Sequence, residues 1–266
     1  MGRSWIISIV SSASFLVAAL VAVTLGAAQE PPQVSGVGQV VSPEATKFGN
    51  LSRGDFGLGP SVSQSAQASP TYQPPEQVYL AHPSNYGERY KVDVNGLPAD
   101  NDYIVVLHET VGSASSAINT FQTNHPNDND QVSYHTLIGA DGTVIYVVPP
   151  EQRAFGAGNS VFSAGQGDES VVTNSAFPSS VNNFAYHISL ETPPDGQNND
   201  ALGHSGYTEA QYQSLAWLLA RTTVPKSRIT THKAVDRSGS RIDPRSFEME
   251  RLFILLDSYP GRAELS

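Results

Sequence analysis

His108, Glu191, His232 and Asp243 are the residues whose types and spacing could do chemistry. They stand in four short strings: VVLHET, HISLET, ITTHKAV and SGSRIDP. Two imidazoles and one carboxylate can hold a zinc ion and leave its fourth position open, which is the arrangement of catalytic rather than structural zinc. A separate glutamate can then accept a proton from an activated water. The set points to metal-assisted hydrolysis if the fold brings all four together. Each residue also has a plainer reading. A histidine at a strand end is often structural, an Asp before a Pro can simply start a turn, and a strand-end glutamate is common on surfaces.

Positioning such residues needs rigid elements. Tyr103 to Leu107 is a continuous apolar, β-rich run, as expected for a buried strand, with His108 at its end. Ala117, Ile118 and Phe121 then recur at helical spacing. Ser133–Ile138 and Thr143–Val148 flank Gly139-Ala140-Asp141-Gly142, a hairpin pattern. Ala185–Leu190 reads as a strand leading into Glu191. Thr208 with Gln211 forms a capping-box pattern ahead of the apolar face Tyr212, Leu215, Ala216 and Leu219. Ile229–Thr231 is a short strand leading into His232, and Ser246–Asp257 reads as a last amphipathic helix. Asp243 lies beyond a Gly/Ser-containing loop that could fold back. Strands alternating with helices predict an α/β domain around a central mixed β-sheet flanked by helices.

The chain has 266 residues and a formal net charge of −10. That balance argues against nucleic acid, whose phosphates require clustered Lys and Arg. With no cysteine, disulfides, thiolate metal sites and cysteine nucleophiles are excluded. Arg3, the apolar stretch Phe15–Val23 and the small residues Gly26-Ala27-Ala28 read as a secretory signal over residues 1–28. An uncleaved membrane anchor is the alternative, and this segment is the one part expected to touch a membrane. Residues 29–77 are rich in Pro, Ser, Gly and Gln and read as a linker. The folded domain is expected over 78–266, exported to the periplasm, envelope or extracellular space.

The strings VVLHETVGSASSAINTFQ, QVSYHTLIGADGTVIYVVP, YHISLET, YTEAQYQSLAWLL and THKAV…SGSRIDP together resemble zinc-dependent N-acetylmuramoyl-L-alanine amidases. That group includes cell-wall recycling amidases, phage T7-type lysozymes and peptidoglycan recognition proteins. The joint order of the strings, not any single one, carries the resemblance. It implies an amidase and recognition-protein-like fold, one Zn²⁺ held by His108, His232 and Asp243, and catalysis by Glu191 with Arg241. Arg241 stands where many relatives carry a Lys that steadies an oxyanion; Arg keeps the charge but gives up proton donation. Tyr134, His135 and Thr110 are the implied substrate contacts. In some branches a Tyr at the Tyr134 position supports catalysis, so Tyr134 is the alternative to Glu191. Phe155-Gly156 departs from the aromatic-His pair that relatives commonly show. His82, His125, His187 and His204 have no partner pattern.

The implied reaction is hydrolysis of the amide between N-acetylmuramic acid and L-alanine, by a monomer acting on peptidoglycan or a muropeptide. Two alternatives stay open: a non-catalytic peptidoglycan-binding module, and a zinc amide hydrolase confined to soluble muropeptides.

Overall fold

The computed structural model describes residues 71–265, apart from Gln166. The expected export segment and residues 29–70 of the expected linker lie outside the described residues. In chain order, β1 (Glu76–Val78), β2 (Tyr86–Glu88) and β3 (Ile104–Glu109) lead into helix α1 (Ala114–Gln122). Next come β4 (Thr136–Ile138), β5 (Val144–Tyr146), β6 (Gln152–Ala154), β7 (Phe162–Ala164) and β8 (Gly167–Glu169). Then follow β9 (Ala185–Leu190), α2 (Glu209–Ala220), β10 (Ile229–Thr231), α3 (His232–Val235) and α4 (Met249–Asp257).

Six strands form one mixed sheet in the order β1-β5-β4-β9-β3-β10. All neighbours are parallel except the β4–β5 hairpin. The expected mixed sheet with flanking helices is therefore present. Every residue of β3 and β9 is buried, which is why both read as near-continuous apolar runs instead of alternating ones. The two-residue pleat still sorts them into faces. Val105, Leu107, Ile188 and Leu190 pack under Leu215 and Leu219 of α2 and Leu252 and Leu256 of α4. Ile104 and Val106 face the other way, against Phe162, Val181, Phe184 and Val235. The same alternation puts His108, His187 and Ser189 on this second face, away from α2 and α4.

Local chemistry sets the ends of the helices. Ser113 caps α1 by accepting the Ser116 N–H. Both bonds of the Thr208–Gln211 capping box are made at α2. Two boundaries differ from the sequence reading. The last helix starts at Met249, not Ser246, because Ser246 has φ +53°, a left-handed conformation that cannot continue a right-handed helix. The domain also starts before residue 78. The Tyr72 hydroxyl lies 2.8 Å from Ser214 Oγ, and β1 pairs with β5. The Pro-rich stretch conceals this edge strand because a three-residue strand is too short to show an apolar period.

Candidate active site

The β3–β9 register builds the site's floor. It sets His108 beside Ser189 and Val106 beside His187. His108 is wholly buried at the carboxyl end of β3. His232 opens α3 directly after β10, whose pairing with β3 brings it alongside. The intervening loop is folded back by Asp236. Its carboxylate accepts the backbone N–H groups of Ser238, Ser240 and Arg241, and Gly239 takes the left-handed conformation the turn requires. Lys233 N–H then donates to the Asp243 carbonyl, closing the loop.

His108, His232 and Asp243 meet as a result. One candidate ligand atom from each lies within 4.8 Å of the others. Asp243 Oδ2 is 3.1 Å from His232 Nδ1 and 3.4 Å from His108 Nδ1. Burial pushes His108 down to about 4, so its imidazole is neutral near pH 7. Burial would raise Asp243, but the two histidines facing its carboxylate outweigh that and hold it far below the carboxylate range. Neutral imidazoles beside a carboxylate are a set of hard and borderline donors suited to zinc.

The Tyr134 ring stacks on His108 with centroids 4.3 Å apart. Burial raises its phenol well above the usual range, so it stays protonated. Tyr134, His232 and Arg241 line an open cleft of about 510 Å³ that also includes Phe155 and Gly156. Arg241 is exposed at its wall. The cleft thus presents a phenolic donor, a cation and the edge of the triad to a bound molecule.

Three further residues expected in the site make hydrogen bonds to the framework around it. Glu191 directs both carboxylate oxygens at the backbone: they accept the Ala114 and Ala140 N–H groups, each at 2.9 Å. It ties the start of α1 to the β4–β5 turn. His135 is fully buried just before β4, where Nδ1 accepts the His187 backbone N–H at 2.9 Å and Nε2 lies 3.1 Å from the Gln152 carbonyl. Burial keeps it neutral and wholly inaccessible to solvent. Thr110 donates to the Gly112 carbonyl and accepts from Thr192 N–H, so it knits the ends of β3 and β9 together.

Two contacts were absent from the sequence reading. His187 Nδ1 is 2.9 Å from His108 Nε2, and both rings are fully buried. Glu109 and Arg245, chain neighbours of the triad, form a buried ion pair at 2.7 Å. The alternation of β9 could have placed His187 on the His108 face, because the two strands were both visible. Nothing in the sequence reports that they are adjacent.

Comparison with solved structures finds similar chains. A crystal structure of a selenomethionine AmpD derivative is 25% identical, with 70% of this chain and 96% of that chain covered at a TM-score of 0.48. The solution structure of Citrobacter freundii AmpD is 24% identical, covering 70% and 93% at a TM-score of 0.43. AmpDH3 from Pseudomonas aeruginosa, in complex with anhydromuramic pentapeptide, is 18% identical, covering 72% and 66% at a TM-score of 0.42. No curated protein matches. The family model for N-acetylmuramoyl-L-alanine amidase matches residues 99–246, more than half of the 266-residue chain, and spans the whole triad. The chain belongs to the N-acetylmuramoyl-L-alanine amidase family, whose activity is on peptidoglycan or muropeptides.

Proposed function

We propose that this amidase is zinc-dependent and that His108, His232 and Asp243 hold a single Zn²⁺. The carrying observation is the convergence of the three ligand atoms within 4.8 Å. A second supports it: His108 Nδ1, buried and facing Asp243, makes no well-formed hydrogen bond, as suits an atom reserved for a metal. A bound zinc supplies Lewis acidity, polarising the scissile carbonyl and making water reactive at neutral pH.

The chain's own residues then handle charge and orientation. Tyr134, protonated and stacked on His108, donates toward the scissile carbonyl oxygen as negative charge develops there. Arg241, on the cleft wall, adds positive charge to the same side. With Glu191 engaged by backbone amides, Tyr134 takes the role that the alternative sequence reading reserved for it. The bond cut is the amide between the lactyl group of N-acetylmuramic acid and L-alanine. An exported monomer acting in the periplasm or envelope, with a membrane contact only through its N-terminal segment, suits that substrate.

The test is metal content and amide cleavage by the full chain on intact sacculi and, in parallel, on a soluble anhydromuramyl pentapeptide. The expected result is about one zinc per chain and free stem peptide, both lost in Asp243→Asn. Zinc with cleavage of the soluble peptide alone would confine the substrate to free muropeptides. Binding to sacculi with neither zinc nor cleavage would leave a binding module.

A further inference from the structure

The buried histidine pair and the glycine beside it extend the zinc reading, on which this inference rests. His187 sits on the same face of the sheet as His108, two register positions away on β9. Its Nδ1 is 2.9 Å from His108 Nε2, the ring nitrogen opposite the one that faces Asp243. Both side chains are fully buried, so water is not available as a substitute partner. The His187 backbone is held: its main-chain N–H donates to His135 Nδ1 and its main-chain carbonyl accepts the His135 N–H. Gly156 makes room for the ring. A Cβ at that position would lie 2.7 Å from His187 Cγ and Nδ1, closer than real side chains approach.

We propose that His187 is a positioning residue for the zinc site, fixing the ring orientation and tautomer of His108, and that Gly156 is the cavity that admits it. A metal on His108 Nδ1 requires the proton on Nε2. His187 Nδ1 supplies the acceptor for that proton, which leaves the His187 proton on Nε2, a buried atom with no hydrogen-bond partner among the described residues; a flip of the His108 ring would strand a second buried donor. Partners of this kind orient metal-bound imidazoles and raise their basicity. The absence of a side chain at residue 156 and the imidazole at residue 187 are therefore two halves of one arrangement. Tyr134 stacks on the ring thus fixed, so its alignment depends on His187 as well.

Three variants of the full chain separate this role from simple core filling. His187→Phe keeps the ring volume but removes the acceptor. His187→Asn returns an oxygen at the branch position that Nδ1 occupies. Gly156→Ala displaces the native ring without altering it. Zinc affinity is read by competition with a chelator of known affinity, and the visible spectrum of the Co²⁺-loaded protein reports ligand geometry. Melting in excess chelator reports folding alone. We expect His187→Phe and Gly156→Ala each to weaken zinc about 10- to 100-fold and to perturb the Co²⁺ spectrum. His187→Asn should recover most of the affinity. If His187→Phe does not fold, Gly156→Ala and His187→Asn carry the same comparison. Wild-type zinc affinity in folded His187→Phe or Gly156→Ala, or a loss confined to the chelator-treated melt, would overturn the positioning role and leave the zinc site standing. A wild-type chain that binds no zinc would sink both.

Discussion

At the scale of single residues, the same side-chain type serves opposite ends according to what its atoms meet. Glu191 follows a buried strand and Asp243 lies in a loop, yet it is Asp243 whose carboxylate faces both imidazoles, while Glu191 spends both oxygens on backbone amides. Glu191→Gln replaces one acceptor with a donor, so one of the two amides is left facing an N–H group. A loss of about 1–3 kcal/mol in stability is expected, measured by urea unfolding, with zinc binding intact. A variant of normal stability that had lost cleavage would return Glu191 to the chemistry. Tyr134→Phe should do the reverse. Stability and zinc should hold, while the cleavage rate falls about 100- to 1000-fold, the range for removing one donor to a developing oxyanion.

At the scale of elements, the site is a joint between β3, the β9 face and the loop after α3. Asp236 shapes that loop, and the Glu109–Arg245 pair fastens it to the sheet. Arg245 Nε donates to Glu109 at 2.7 Å, and its remaining nitrogens bond the carbonyls of Gly196 and Ala201. His204 and Thr192 also approach Glu109. Both partners are nearly inaccessible to solvent. Arg245→Met alone strands a buried carboxylate and should cost about 3–5 kcal/mol. Glu109→Leu combined with Arg245→Met should recover most of that loss, because neither charge is then left uncompensated. Thermal unfolding of the two single variants and the double variant closes the cycle. Additive losses would show that the pair does not act as a unit.

At the scale of the whole molecule, His108 lies more than a hundred residues from His232 and Asp243, which are 11 apart, so only the folded state can hold the ion with all three. Zinc in thousandfold excess over its dissociation constant should then stabilise the fold by about 4 kcal/mol. For a domain of this size that corresponds to roughly 10 °C in Tm. Calorimetry with zinc and with excess chelator tests it. An unchanged Tm at saturating zinc would mean that the ion does not bind the native state selectively.

Much of this was legible along the chain because it is local. The runs ending in His108 and Glu191, the Asp141-Gly142 turn and the Thr208–Gln211 cap each depend on residues within a few positions of one another, and each formed as read. The triad was legible too, through residue types and order, although its members are remote. What the sequence could not decide was strand adjacency and the direction in which a carboxylate points. The resemblance gives Glu191 the catalytic role because it ends the central strand. Whether its oxygens meet the cleft or two backbone amides depends on where α1 and the β4–β5 turn come to rest. His187 looked idle because its partner lies 79 residues away on the neighbouring strand. Gly156 looked like a missing imidazole, and the fold shows one pressed against it from β9. Short-range spacing determines elements and candidate ligands; packing and register decide which of them share a site.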